Sequence, residues 1–228
     1  MPATFSIEPI IEPMPYSLVL TFSCSVAIGA VIGLIRIRKV ESTWLPFIIC
    51  LCLATVNEAI SWWQVAHRRN TAPNNNVYVL AEALLFTWQF SNWQVFGRKI
   101  FSLIVAGLLM VWLIDNHSAA ALEGVEGWFR ITASFVIVTG SITYLNALIF
   151  SYNRRMITSP AFLVTAGAII FFTYKILIEA FWKYGILSAP GFAPQLYLVM
   201  VWINLFVNLL YAAAVICIPK KKYYLGLS

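Results

Sequence analysis

The sequence predicts an all-α integral membrane bundle of seven transmembrane helices. Of its 228 residues, 61% are hydrophobic and only 11% are charged, whereas a soluble domain carries about 25% charged residues. The apolar residues also fall into seven runs separated by short polar stretches, and a spanning helix needs about 20 mostly apolar residues. Because so apolar a surface is not soluble in water, we expect the bilayer to be the solvent of this chain.

The seven runs give the spans in order. They are predicted near residues 16–35, 44–65, 77–96, 100–117, 131–150, 161–182 and 196–218. Breaker residues separate several of them: Pro73 with Asn74, Asn75 and Asn76; Gly97 with Arg98 and Lys99; Pro160; and Pro190, Gly191 and Pro194. No internal repeat is visible, so residues 1–228 are predicted to form one domain, with a short outer tail (1–15) and a basic inner tail (219–228).

Arginine and lysine positions predict the orientation. Ten of them fall on one side of the membrane and four on the other: Arg36, Arg38, Lys39, Arg98, Lys99, Arg154, Arg155, Lys220, Lys221 and Lys222, against Arg68, Arg69, Arg130 and Lys183. Cytoplasmic loops carry the excess of positive charge. We therefore expect the C-terminus in the cytoplasm and, with seven spans, the N-terminus outside. No basic stretch precedes the first apolar run, so we interpret it as a retained span rather than a signal peptide.

Composition also excludes several function classes. The net charge of +6 comes from residues at the ends of apolar runs, so nucleic-acid binding is not predicted. The four cysteines lie inside apolar runs without metal-ligand spacing, and both histidines lie at span ends. They are Cys24, Cys50, Cys52, Cys217, His67 and His117. No metal site and no cofactor are predicted.

Polar residues within the spans recur at helical spacing. Positions three, four and seven apart share one face of a helix, and five spans show such a stripe. These stripes are Asn57, Ser61 and Gln64, with Glu58 beside them; Asn75, Tyr78, Glu82, Gln89 and Trp93; Thr132, Thr139, Thr143 and Asn146; Thr165, Lys175 and Glu179; and Tyr197, Val201, Asn204, Asn208 and Tyr211. Polar faces in a bilayer turn toward each other or toward water, so we expect a polar core or cavity.

The charged members of these stripes are the strongest functional signal. Each charge costs roughly 2.5–3.5 kcal/mol at mid-membrane on an insertion scale. Lys175 and Glu179 are four residues apart on one helix and are expected to pair. Glu58 and Glu82 have no cation nearby in sequence. Arg68, Arg69 or Arg130, which are predicted on the outer side, are alternative ion-pair partners for them. Asn and Thr residues such as Asn146 and Asn208 are better explained as interhelical hydrogen-bonding residues.

Together these residues predict a pocket in the outer half of the bilayer, opening outward or laterally, with acidic groups and aromatic walls. Its predicted ligand-binding residues are Asn57, Glu58, Trp62, Tyr78, Glu82, Lys175, Glu179, Tyr197, Asn204 and Asn208. Trp182 is predicted at the same depth in the membrane as these residues.

Several of these residues also carry a resemblance. Asn57-Glu58, Asn74-Asn75-Asn76 with Tyr78 and Glu82, Asn204 with Asn208, and the basic tail after Pro219 resemble small, uncharacterised bacterial seven-span membrane proteins over most of the chain. The resemblance implies a multi-pass protein of the bacterial cytoplasmic (inner) membrane and implies no activity. A more distant likeness is to seven-span meroterpenoid terpene cyclases, which use an early glutamate and a late aspartate as acids. Glu58 matches the first, and the late span here carries Asn204 and Asn208 instead.

Three functions remain open on this sequence. The first is a receptor-like protein that binds or senses a small amphiphilic or cationic ligand and relays its state to a cytoplasmic or membrane protein partner. The second is an intramembrane enzyme acting on an isoprenoid or lipid, with Glu58 or Glu82 as catalytic general acid. The third is a structural subunit of a membrane complex. Membrane lipid surrounds the protein in all three.

Overall fold

The protein is all-helical throughout the residues that its computed structural model describes, which are 22–117, 124, 127–151, 158–184 and 192–220. These residues form seven α-helices and no β-strand. The helices are α1 (Val26–Arg36), α2 (Leu45–Ala66), α3 (Ala72–Asn92), α4 (Arg98–Asp115), α5 (Trp128–Ser151), α6 (Pro160–Lys183) and α7 (Phe192–Cys217), and a short 3₁₀ turn, Ser42–Trp44, precedes α2.

Four helical segments are long and apolar enough to cross a membrane: Ser42–Ala66, Trp128–Phe150, Pro160–Lys183 and Gln195–Cys217. Of the others, α1 is an apolar helix of 11 residues, and the start of the predicted first span lies outside the described residues. The helix α3 is rich in amides, and α4 carries Arg98, Lys99 and Asp115 in its 18 residues. The all-helical fold and four candidate spans are thus confirmed, while the seven spans and their orientation stay predictions.

Three predicted connections lie partly within helices. Arg98 and Lys99 begin α4. The segment Pro73–Asn76 forms the first turn of α3 rather than a loop. Likewise, Pro194 lies in the first turn of α7 instead of before it. Proline is tolerated there because the first N–H groups of a helix have no intrahelical acceptor. The predicted breakers Pro190 and Gly191, the predicted inner residues Arg154 and Arg155, and both predicted tails apart from residues 219 and 220 lie outside the described residues.

Six of the helices close a ring. Neighbouring helices contact each other in the order α1, α2, α3, α5, α6, α7 and back to α1, and α4 packs outside this ring against α3 and α5. Gly33 allows α1 and α2 to approach closely, because a Cβ at this position would lie 3.0 Å from the side chain of Ile48 on α2. Small residues at helix contacts are typical of membrane bundles because they let backbones approach. The ring encloses the candidate site.

One end of the bundle is tied together by polar contacts. The Arg36 guanidinium, at the end of α1, donates hydrogen bonds to the carbonyls of Val215, Ile216 and Ile218 at the end of α7. Val40 and Lys220 form an isolated β-bridge beside this contact. The last carbonyls of a helix lack intrahelical partners, and a basic side chain satisfies them. We call this region, with Arg36, Arg98 and Lys220, the basic end.

The polar stripe predicted on the fifth span does not face the interior. Thr139, Thr143 and Asn146 are exposed, and the Thr143 hydroxyl donates to the Thr139 carbonyl of its own helix at 2.8 Å. The buried face of α5 instead contains small and apolar residues, among them Ala133 and Ile137. A threonine that satisfies its hydroxyl on its own backbone can face lipid, which is why its spacing was a poor guide.

Candidate functional site

A cavity of about 280 Å³ lies inside the helix ring and is partly open to its surroundings. All six ring helices contribute to its wall. Its lining residues are Ser23, Val26, Phe47, Cys50, Leu51, Ala54, Asn57, Glu58, Asn75, Tyr78, Val79, Glu82, Phe86, Arg130, Phe171, Phe172, Lys175, Met200, Asn204, Val207, Asn208 and Tyr211. Seven of the ten predicted ligand-binding residues are among them: Asn57, Glu58, Tyr78, Glu82, Lys175, Asn204 and Asn208.

The other three predicted residues do not line the cavity. Trp62 and Tyr197 are 51% and 48% exposed on the outside of the bundle, so they do not form its aromatic walls, and neither does Trp182. Glu179 lies behind the wall, where it pairs with Arg130, which does line the cavity. Aromatic side chains near span ends commonly face the membrane interface, which explains the positions of Trp62 and Tyr197.

Lys175 joins α6 to α3 through a buried ion pair. Its ammonium lies 3.1 Å from Glu82 Oε2, and the two side chains are only 12% and 8% exposed. The Tyr78 hydroxyl donates a 2.8 Å hydrogen bond to the other oxygen of the same carboxylate. The ammonium also lies 5.3 Å from the centroid of the Phe172 ring, within cation–π range. The predicted pairing of Lys175 with Glu179 on its own helix is therefore wrong.

Arg130 makes the second ion pair at the cavity wall. Its Nη1 atom lies 3.3 Å from Glu179 Oε1, and its Nη2 atom donates to Asn76 Oδ1 at 2.8 Å. These contacts connect α5 to α6 and α3. Arg68 and Arg69, the other cations considered for the buried glutamates, are exposed and form no ion pair within the described part of the chain. Two ion pairs on neighbouring helices thus account for both cations that line the cavity.

An amide network fixes α2 against the start of α3. The Asn74 amide donates to Asn57 Oδ1 at 2.8 Å, and the Asn57 amide donates to Asn75 Oδ1 at 3.2 Å. Asn74 also donates to Ser61 Oγ at 3.3 Å. These contacts explain why three asparagines are accommodated at the start of one helix: Asn74 and Asn75 bond across to α2, and Asn76 donates to the Gly124 carbonyl and accepts from Arg130 of α5. The network holds Asn57, and with it the adjacent Glu58, in a defined orientation at the cavity.

Glu58 differs from the other charged lining residues. Its carboxylate makes no ion pair and no hydrogen bond to any residue that the structure describes, and its side chain is partly exposed. Glu58, Glu82 and Glu179 are three carboxylates, and Lys175 and Arg130 are two cations. Two cations pair with two of these carboxyl groups, which leaves Glu58 as the one carboxyl group of the three without a charged partner among the described residues.

Another part of the cavity wall is aromatic. The Phe47 and Tyr211 rings pack edge to face with centroids 5.3 Å apart, and Phe86 packs in the same way on Phe172 at 5.4 Å. All four rings are at most 7% exposed. The Tyr211 hydroxyl is buried and has no hydrogen-bond partner within the described residues. Edge-to-face packing keeps these rings in fixed positions, so this wall is preformed.

Sequence reasoning did not name Phe47 or Phe86, two of the four rings of this aromatic wall, although a signal for both was present. On α2, Phe47, Cys50, Ala54 and Asn57 step by three, four and three residues, so they share one face. On α3, Phe86 follows Glu82 by four residues. The polar stripes therefore continue as apolar ones, and extending them along each helix would have found the lining residues Phe47 and Phe86.

Chemically, this arrangement combines one unpaired carboxylate with an apolar aromatic wall. It fits a group that bears one positive charge and an apolar body, because both parts then find complementary surroundings. A metal is not indicated, since no three His, Cys, Asp or Glu side chains come together in the described ranges. Glu82 accepts from Tyr78 and pairs with Lys175, as an ionised carboxylate does, which leaves Glu58 as the lining carboxyl available for proton transfer. A scan of protein-family models and searches of curated proteins and solved structures found no match to this chain.

Proposed function

We propose that this chain is a seven-span protein of the bacterial inner membrane that binds a small amphiphilic cation in the cavity of its helix ring. The N-terminus is outside and the C-terminus is in the cytoplasm. Four candidate spans, the closed ring and the ten-to-four distribution of basic residues support this topology. Described members of the larger basic group, such as Arg36 and Lys220, belong to the same end of the bundle.

The observation that carries the proposal is the unpaired carboxylate of Glu58. A charge held in the membrane is costly and normally pairs with another charge, and every other charged residue of the cavity wall has such a partner. A ligand cation would complete the pairing of the site. The aromatic part of the cavity would bury the apolar body of the same ligand.

The helix α7 supports a sensing role. Asn204, Asn208 and Tyr211 line the cavity, while the carbonyls at the end of the same helix are held by Arg36 at the basic end. Asn208 also donates to the hydroxyl of Ser25, the residue that precedes α1, at 2.9 Å. A ligand that displaces α7 would change contacts at the basic end, where a cytoplasmic protein partner would detect the change.

Single cysteines test the topology. In a background without the four native cysteines, His117→Cys on the predicted outer side is expected to react with a membrane-impermeant maleimide in intact cells. Arg98→Cys on the predicted inner side is expected to react only after the membrane is opened. Labelling of Arg98→Cys in intact cells would contradict the orientation.

A retained ligand tests the binding. Native mass spectrometry of the protein purified in mild detergent is expected to show a bound small molecule that Glu58→Gln loses. Glu41→Gln makes the same chemical change at an exposed residue outside the cavity, and it is expected to keep the molecule. No bound mass in any variant, together with a less stable Glu58→Gln protein, would favour the structural-subunit hypothesis.

Glu58 also supports a second candidate, the intramembrane enzyme. An unpaired carboxyl group facing apolar surroundings is the environment of a general acid. In that case Glu58→Gln would still bind the molecule but would accumulate it unconverted, so the two functions are separated by the mass of the retained compound. If Glu58→Gln retains a compound whose mass differs from that of the compound bound to wild-type protein, the enzyme hypothesis is favoured.

A further inference from the structure

A second cavity lies between the end of α3 and the start of α4. It is an open groove of about 740 Å³, within the size range of ligand sites. Its wall combines polar and aromatic side chains, among them Ser91, Gln94 and Ser102 with Trp88, Phe96 and Phe101. Because α4 packs outside the helix ring, this groove is separate from the cavity that Glu58 lines and shares no lining residue with it.

Arg98 gives this groove a positive charge. It lines the groove and is exposed, and its guanidinium makes no ion pair or hydrogen bond with any residue that the structure describes. By contrast, the guanidinium groups of Arg36 and Arg130 are bonded to oxygen atoms of the protein. A guanidinium presents its N–H donors as a planar fork that fits a phosphate or a carboxylate. Arg98 therefore has its donors available for an anionic ligand.

The neighbours of Arg98 add neutral donors and no opposing charge. The side-chain amide of Gln94 and the indole N–H of Trp88 make no hydrogen bond within the described part of the chain. No aspartate or glutamate is among the described residues that line the groove. In addition, α4 begins after Gly97 without a side-chain cap, and the start of a helix favours negative charge. The groove thus prefers a ligand with a net negative charge.

The groove belongs to the basic end of the bundle, beside an apolar surface. Asn92, the last residue of α3, donates to the Thr43 carbonyl at 3.3 Å, and Val40, three residues before Thr43, forms the bridge to Lys220. Just beyond the groove on α4, Ile100 and Leu103 are 54% and 76% exposed, as expected of side chains that face lipid. An anion bound at Arg98 would therefore have apolar surface next to it.

We propose that this groove binds an anionic phospholipid, whose phosphate pairs with Arg98 and whose acyl chains lie against Trp88 and the exposed apolar face of α4. A phospholipid supplies both the negative charge and the apolar chains that the two parts of this surface fit, whereas a free phosphate supplies only the charge. The proposal uses the membrane topology proposed above, but it does not depend on the ligand of the Glu58 cavity.

A competition between two lipids tests the proposal on the full-length protein in detergent. Dioleoyl phosphatidylglycerol and dioleoyl phosphatidylcholine share the phosphate and the chains, but only the first has a net negative charge. Native mass spectrometry with equal amounts of both is expected to show wild-type protein retaining phosphatidylglycerol in preference. Arg98→Gln is expected to weaken phosphatidylglycerol binding about tenfold, the effect of one charge-assisted contact.

Lys99→Gln is the matched control. It removes the same charge from the next residue of α4, which does not line the groove, and it is expected to bind phosphatidylglycerol within about twofold of wild type, because exposed charges outside a specific contact contribute little. If both variants lose binding equally, net charge rather than the groove selects the lipid, and the proposal is wrong. Equal retention of the two lipids by wild-type protein would overturn it as well.

A water-soluble probe separates lipid from free phosphate. Glycerol 3-phosphate carries the phosphate without the chains, and at the same concentration as the lipid it is expected not to displace phosphatidylglycerol. Displacement would show that the groove takes free phosphate esters, which would overturn the assignment to a lipid. None of these measurements involves Glu58, so their failure leaves the proposed function of the cavity standing, and the single-cysteine labelling tests the shared topology separately.

Discussion

The ammonium of Lys175 lies 3.1 Å from Glu82 on α3, not against Glu179 one helical turn along its own helix. This pair crosses from one wall of the cavity to another, so it fixes the distance between α3 and α6. It also removes Glu82 from the set of unpaired carboxyl groups, so Glu58 is the carboxyl group of the cavity wall that has no charged partner among the described residues. The interpretation of the cavity as a cation site depends on this assignment of partners.

A double-mutant cycle tests the Lys175–Glu82 pair. Removing one partner of a buried pair leaves an uncompensated charge, so Lys175→Met is expected to lower the free energy of unfolding by about 3–5 kcal/mol. The double variant Lys175→Met/Glu82→Leu leaves no charge behind and is expected to recover most of that loss. Titration with a denaturing detergent measures the free energy of unfolding of both variants. If the loss of unfolding free energy in the double variant equals the sum of the losses in the two single variants, Lys175 and Glu82 do not interact directly.

Gly167 provides a test of the aromatic wall. A Cβ at this position would lie 2.7 Å from the Tyr211 ring, so Gly167→Ala must displace a tightly packed side chain, and overpacking costs about 1–3 kcal/mol. Gly107 on α4 has nothing within 4 Å of such a Cβ. Gly107→Ala is expected to be neutral or to stabilise by up to about 1 kcal/mol. Equal thermal stability of the two variants would show that Tyr211 is not held as described.

Arg36 is expected to hold α1 against α7 through its planar guanidinium, which donates to carbonyls at the end of α7. Lysine keeps the charge but loses the fork of donors. Arg36→Lys is expected to lower the free energy of unfolding by about 1–3 kcal/mol, because partly buried carbonyls lose their hydrogen-bond donors. Arg38 is exposed and makes no such contact within the described part of the chain, so Arg38→Lys is the matched control. A loss of equal size in both variants would contradict the contact.

Helical spacing predicted one part of the cavity because it fixes which residues share a face. The stripes on α3 and α7 were oriented correctly, and Tyr78, Glu82, Asn204 and Asn208 all line the cavity. Spacing alone does not fix which helices are neighbours. Lys175 and Glu82 are 93 residues apart in sequence, so their pairing depends on a ring order that no local pattern contains.

The incorrect predictions share a physical cause. The stripe on α5 consists largely of threonines, and Thr143 satisfies its hydroxyl on its own helix, so polarity there did not require an inward face. Depth in the membrane placed Trp62 at the cavity, yet residues at one depth lie at any angle around their helix. Tyr197 belongs to the predicted stripe of α7, but it lies near the start of that helix, where it is 48% exposed. Pro73 looked like a loop residue, although the first turn of a helix accepts proline.

Ligand-induced stabilisation tests the central claim, that Glu58 makes the cavity a cation site, most directly. A ligand at a hundred times its dissociation constant raises the free energy of unfolding by about 2.7 kcal/mol. Under such conditions 2-phenylethylamine is expected to raise the melting temperature of wild-type protein and of the Glu41→Gln control, whereas the anionic analogue 3-phenylpropionate is not. Glu58→Gln is expected to gain no stability from the amine. Equal stabilisation of wild type and Glu58→Gln by the amine would contradict the account.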